Sequence, residues 1–306
     1  MNVREWTLPV YTILMQIAVG ALFVLWLIRT RATSKFSPGD IDRIIRNPIL
    51  VISFTIMVAM IGAHFHLSKP YRSFLAVLNF KSSWLSREIA FTVSFFITTV
   101  SVWYLTRYQN THRKLISNIG WLAVFLGFIL IYCMARVYLL PTQAAWNSLT
   151  VILSFYITTL LLGGMTIVCL IMLDLKFAEI QKSNDINLRL DVIRYSFAGL
   201  SLLAFVLALL NIVVTYVQIY QLQHGDITAR TSLSLLLELY LPLLIMRIFL
   251  LLIASTTLGY TVYRMYKLKS TLQSMMTPVY LSCLLIFVGE IVGRFLFYAT
   301  HIRIGL

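Results

Sequence analysis

Eight apolar runs, each long enough to cross a bilayer, decide how this 306-residue chain folds. About 20 apolar residues of helix span the hydrocarbon layer, and helix is a form in which such a run satisfies its own backbone groups there. The runs lie near Leu8–Ile28, Pro48–Leu67, Ile89–Thr106, Leu115–Tyr138, Leu149–Leu173, Ile193–Tyr220, Ser234–Tyr263 and Thr277–Thr300. The composition is 59% hydrophobic and 12% charged, where an ordinary soluble domain carries about 25% charged residues. Little sequence is left over for a soluble domain. The sixth and seventh runs exceed the bilayer core and would tilt or extend beyond it. Pro242, near the start of the seventh, is placed to kink or open that helix. The expected fold is an all-α integral membrane protein, one polytopic domain over 1–306 with eight transmembrane helices. The N-terminal MNVREWTLPVYT has no small-residue cleavage site, so the first span is expected to be retained.

The basic residues set an expected orientation. Lys and Arg number fifteen in the first, third, fifth and seventh loops and seven on the opposite side. The positive-inside rule then puts both termini outside the cytoplasm. The polar stretch DLKFAEIQKSNDINLRLDVIR after the fifth span has balanced charge and reads as a cytoplasmic connector. A division into two four-helix groups is expected about it, with 1–173 and 192–306 on either side.

Four of the seven outer basic residues, Lys69, Arg72, Lys81 and Arg87, sit in one loop between the second and third spans. Topology alone disfavours them there, so the loop is either a solvated surface facing lipid headgroups or a docking surface for an acidic partner. The same stretch, from His64 to Ile89, also carries His66 and Glu88. Ionisable groups at membrane depth are costly and default to a functional reading. Glu290 and Arg294 are four apart on the eighth span, on one face where an acid can pair with a following base. Tyr298 and His301 continue roughly the same stripe. Arg136 and Tyr138 close the fourth span. Arg247 lies deeper, in the seventh span, and faces an acid such as Glu290 only if the two helices are neighbours. His66, Glu88, Arg136 and His301 thus project from the outer ends of different helices. That convergence suits a proton-coupled redox pocket, where a neutral histidine hydrogen-bonds a quinol hydroxyl and a carboxylate relays the proton. Trp84, Tyr71, Tyr138 and Trp146 either line a slot for a ring or form an interfacial belt.

Other chemistries find little support. Cys133, Cys169 and Cys283 lie in apolar spans without metal-ligand spacing and read as small core residues. His64 and His66 point to different sides of a helix and cannot share one iron; a His66–His301 pair is the one geometrically conceivable, and with other polar work for both no haem is expected. There is no phosphate-binding glycine loop, HExxH or nucleophile elbow. The +14 formal charge belongs to loop sidedness, and no nucleic-acid partner is expected. Gly163–Gly164 reads as a place for close helix packing.

The blocks EWTLPVYTILMQIAVGA, HLSKPYRSF, SWLSREI, MARVYLL followed by WNSL, and GEIVGRFLFYATH occur in order across nearly the full sequence. With them the protein resembles the membrane anchor subunit of the dimethyl sulfoxide reductase family. The resemblance implies a multi-pass subunit of the bacterial inner membrane that oxidises menaquinol, without haem, in anaerobic respiration. Its implied partners are a four-cluster ferredoxin-like iron–sulfur subunit and a molybdopterin catalytic subunit, which hold the iron–sulfur clusters and the molybdenum cofactor. It also implies roles. The histidine of the HLG-type motif falls on His66, the acid of the S-x-E-I block on Glu88, and the GE-x-x-GR motif on Glu290 and Arg294. Ser68 stands where the family usually has glycine, and His64 is an additional histidine.

The expected function is a quinol-oxidising anchor, with His66 and Glu88 handling protons and Arg136, Tyr138, Glu290, Arg294 and His301 as further quinol-pocket candidates. Lys69, Arg72, Lys81 and Arg87 would contact the iron–sulfur partner. A secondary transporter or channel, lined by Glu290, Arg247 and Arg294, remains the alternative from another class. A purely structural anchor is a third reading.

Overall fold

Within a membrane run the backbone has no water to bond, and this protein closes its helices with hydroxyls as well as amides. Thr92, Thr99, Ser53, Ser255 and Thr261 each donate to the carbonyl four residues earlier, which buries their polar atoms at no cost in orphaned groups. The computed structural model describes residues 7–66, 77–109, 112–180, 186–267, 272–300 and 302, with backbone alone for 7, 65–66, 178–180, 186–190, 193–195, 266–267 and 272–274. Among the described residues the helices are α1 Thr7–Ala32, α2 Pro38–His66, α3 Trp84–Tyr108, α4 Arg113–Tyr138, α5 Leu149–Ile180, α6 Ile186–Gln223, the short α7 Ile227–Ser234, α8 Leu241–Lys267 and α9 Leu272–Ala299. All but α7 are long and apolar enough to span a membrane.

The protein divides into two compact units, 1–139 and 140–306, so the polar connector after α5 lies within the second unit. In the first unit α1 packs on α2, α2 on α3, α3 on α4, and α4 back on α1. In the second, α5, α6, α8 and α9 close a ring in the same cyclic order.

Small residues let the helices of the first unit approach. A Cβ on Gly120 of α4 would strike the Trp26 indole of α1, whose Nε1 donates to the Ser117 carbonyl at 3.2 Å. Gly127 faces Val19 and Phe95 in the same way. At the other end of α1, Arg29 grips Asp42 of α2 through Nε at 2.6 Å and Nη2 at 3.2 Å, with both residues buried. This pair anchors the polar first turns of α2. The helix therefore starts at Pro38 and keeps Pro48 in its interior, ten residues ahead of the start expected from hydropathy.

Three expectations change in the second unit. The seventh run is not one helix: α7 passes into a π-helical turn, Leu235–Leu239, and the helix breaks at Tyr240 before α8 begins. Pro242 sits in the first turn of α8, where its missing N–H removes no helical bond. Gly164 is not a close-packing point, since a Cβ there meets nothing within 4 Å. The close approach is instead at Gly289 and Gly293 of α9, whose added Cβ atoms would meet Leu251 and the Arg247 guanidinium of α8. Finally, Cys169 of α5 and Cys283 of α9 are paired, and Cys133 alone is a free buried thiol.

Candidate functional site

The sequence-derived site residues fall into two groups, one in each unit. In the first unit, α1 and α3 begin, and α2 and α4 finish, at one end. Ser83 caps α3 by accepting from the Ser86 amide, and one turn on Glu88 is 7% exposed, facing α1. The Tyr11 hydroxyl is shared between the Glu88 carboxylate and Thr92 Oγ1, the latter at 3.0 Å. Thr92 in turn donates to the Glu88 carbonyl at 2.8 Å. A buried carboxylate is thus held by a hydroxyl relay from a neighbouring helix.

Beside it, two cations lie over the Trp84 ring: Arg87 Cζ at 4.2 Å and Arg136 Cζ at 4.7 Å from its centroid. Tyr132 meets Trp84 edge-on at 5.7 Å. Cation–π contacts of this kind strengthen where water is excluded. The Arg136 Nε is buried and has no hydrogen-bond partner among the described residues, and an unmet buried donor is costly unless a further group, a ligand or water accepts from it. Trp84 therefore organises two arginines and is more than a member of an interfacial belt. Tyr138 is half-buried at the last turn of α4.

His66 is the last residue of α2, and its side chain lies outside the described residues. His64 is exposed with Nδ1 2.8 Å from the Met60 carbonyl. Lys69, Arg72, Tyr71 and His301 also lie outside the described residues. Lys81 is exposed. Arg87 is tied to its own turn, donating from Nε to the Phe80 carbonyl at 2.9 Å and from Nη2 to the Lys81 carbonyl at 2.6 Å.

The second unit holds a different cluster. Glu290 on α9 is 2% exposed. It accepts from Thr158 of α5 at 2.7 Å and from Asn211 Nδ2 of α6 at 3.0 Å. Arg247 of α8 lies 3.6 Å from Glu290 Oε2 and donates to Asn211 Oδ1 at 2.9 Å. Four helices thus meet at one carboxylate, and the neighbouring position of Arg247, which the sequence left open, is settled. Arg294 lies over Phe155 at 4.1 Å and over Phe297 at 5.5 Å. Trp146 stacks on Phe297 at 5.1 Å and donates to its carbonyl at 2.8 Å, so it closes the end of α9. Sequence reasoning missed Tyr11, Thr92, Thr158 and Asn211. Asn211 could have been found, as the one asparagine inside the sixth apolar run, where a buried amide demands partners. Tyr11 and the threonines carry no such signal.

The family model described as DMSO reductase anchor subunit (DmsC) matches residues 1–300. The protein is 26% identical over 305 residues to the anaerobic dimethyl sulfoxide reductase subunit YnfH of Escherichia coli K12, covering 99% of this sequence and 97% of that one. It is 27% identical over 309 residues to the C subunit of the anaerobic dimethyl sulfoxide reductase of Haemophilus influenzae, covering 100% and 99%. Against the corresponding C subunit of Escherichia coli K12 the identity is 26% over 310 residues, covering 99% and 97%. With eight apolar helices and a family match along its length, the protein belongs to the DMSO reductase anchor subunit (DmsC) family and is a multi-pass protein of the bacterial inner membrane.

Proposed function

We propose that this anchor subunit binds and oxidises menaquinol at the Glu88 end of its first unit and passes the electrons to an iron–sulfur partner. A four-cluster ferredoxin-like subunit would receive them, and a molybdopterin catalytic subunit would use them to reduce dimethyl sulfoxide or a related acceptor. The single observation that carries this reading is the buried Arg136 Nε without an acceptor among the described residues, beside a buried, hydroxyl-tethered Glu88. That donor and that carboxylate fit a quinol head group, which offers an oxygen to accept and a hydroxyl proton to give. Trp84, under the Arg136 guanidinium, and Tyr132, edge-on to it, supply aromatic surface at the same place.

Menaquinol, once bound, supplies two electrons and two protons per molecule oxidised. Arg136 orients an oxygen of the ring. His66 accepts a hydrogen bond from a ring hydroxyl, and Glu88 takes up a proton, with the Tyr11 hydroxyl, itself in contact with Thr92, holding its carboxylate in place. In the orientation read from the loops, with both termini away from the cytoplasm, this end faces away from the cytoplasm. Lys69, Arg72 and Lys81 then form the basic surface for the iron–sulfur partner, while Arg87 shapes the turn that presents Lys81.

The test uses the assembled complex in membranes. His66→Leu and Glu88→Gln are each expected to lower quinol-dependent acceptor reduction by about 100-fold or more, the scale of a lost general base. Reduction driven by a soluble dye that bypasses the anchor should be unchanged. Unaltered quinol-dependent rates in His66→Leu would refute the assignment.

A further inference from the structure

We propose that the second unit contains a water-filled proton passage linking the Glu290 carboxyl group to the aqueous surface at the turn between α6 and α7. The inference goes beyond quinol oxidation and does not depend on it. Its first basis is a cavity of about 60 Å³ against Glu290, whose lining residues include Arg247, Ser154, Thr158, Thr215 and Thr300. Such a space holds a few water molecules. It is well below the roughly 300 Å³ at which pockets for organic ligands begin, so water is the occupant that fits.

The second basis is continuity. A larger cleft of about 550 Å³ opens at the surface and is lined by Ser148, Gln221 and Asp226, among others. Gln218 and Leu222 line both spaces. These two side chains of α6 thus border both the space at the buried carboxylate and the surface cleft. Gln218 is lightly tethered there, with Nε2 3.4 Å from the Ala145 carbonyl.

The third basis is the inventory of polar atoms. Arg247 Nε is buried and has no acceptor among the described residues, and a water oxygen can accept from it. Thr215 and Thr300 give their protons to the Asn211 and Leu296 carbonyls, which leaves hydroxyl lone pairs to accept from water. Arg247 approaches Glu290 from α8 at 3.6 Å, Arg294 follows one turn along α9, and α5 and α6 contribute the neutral Thr158 and Asn211. In the transfer, a hydronium O–H at the adjoining water breaks and its proton forms the O–H of a Glu290 carboxyl group, leaving neutral water. On return that O–H breaks and its proton passes back to water, leaving the carboxylate and a hydronium ion. Successive O–H transfers carry the proton past Gln218 to the cleft, the reverse sequence restores the carboxyl group, and no electrons move.

Two measurements on the assembled complex test this. In the first, Cys133, Cys169 and Cys283 are replaced by alanine, and Thr215→Cys, Gln218→Cys and the exposed, membrane-depth Val213→Cys are treated with silver ion, which reacts with thiols in contact with water. The first two should react at least tenfold faster than Val213→Cys. Adding Leu222→Phe should slow Thr215→Cys while leaving Ser148→Cys in the outer cleft unchanged. In the second, with native cysteines, infrared difference spectra after a step in external pH should show a carboxylate band that Glu290→Gln abolishes. Equal silver reactivity at all three positions in complexes that assemble, or no Glu290 band responding to the pH step, would overturn the proposal.

Discussion

Gly293→Ala is a one-carbon test of how the Glu290 cluster is held. The added Cβ would collide with Cζ, Nε and Nη2 of Arg247, so the guanidinium has to leave the α9 surface. It then gives up the 2.9 Å bond to Asn211 and the 3.6 Å pairing with Glu290. Glu290 keeps Thr158 and Asn211 as donors, so the loss stays at the lower edge, about 3 kcal/mol, of the range for a broken buried pair. Alanine in place of glycine returns about 1 kcal/mol of helix propensity. The net destabilisation is about 2 kcal/mol, a factor of roughly 30 in the unfolding equilibrium. The matched control is Gly259→Ala on α8, where a Cβ meets nothing within 4 Å and stability should hold or rise. Equilibrium unfolding of the detergent-solubilised protein reads both. The reasoning is refuted if the two variants are equally stable, or if the Gly293→Ala cost persists once Arg247→Ala has removed the colliding group.

Arg29→Ala leaves Asp42 buried without its partner and should cost about 3–5 kcal/mol, read by the same unfolding assay. Arg29→Met combined with Asp42→Leu should recover most of the loss. Tyr11→Phe should lower stability by only about 1 kcal/mol yet slow quinol-dependent reduction, because it frees the Glu88 carboxylate from its tether. The Ala229 amide, and after it the Thr228 hydroxyl, hold the exposed Asp226 carboxyl below its ordinary value. A depressed folded value means that this cap stabilises α7 above the unfolded value of about 3.9 and is lost as pH falls through the lower folded one. Amide exchange at Ala229 should therefore accelerate only below about pH 4, and Asp226→Asn should keep the cap while removing that dependence.

The carboxylates were legible because charge inside an apolar run is conspicuous: Glu88, Glu290, Arg136 and Arg294 stand out against their neighbours. Their company was not. The expected pairing of Glu290 with Arg294 along one helix face gave no hint of Thr158 and Asn211, and Arg247 was a candidate only if its helix proved a neighbour; all three come from other helices. The grouping of Glu88 with Arg136 at one end followed from span parity alone. The organising role of Trp84 and the tether from Tyr11 required the packing of α1 and α4 on α3.

The sequence by itself determined eight membrane helices and which polar residues must find partners within them, because hydropathy and run length are properties of consecutive residues. Tertiary structure decided where the units divide, where the seventh run breaks, and which glycines bring helices together. It also decided which groups satisfy each buried charge. Those outcomes depend on which helix faces meet, and side chains tens of residues apart become neighbours only when their helices pack.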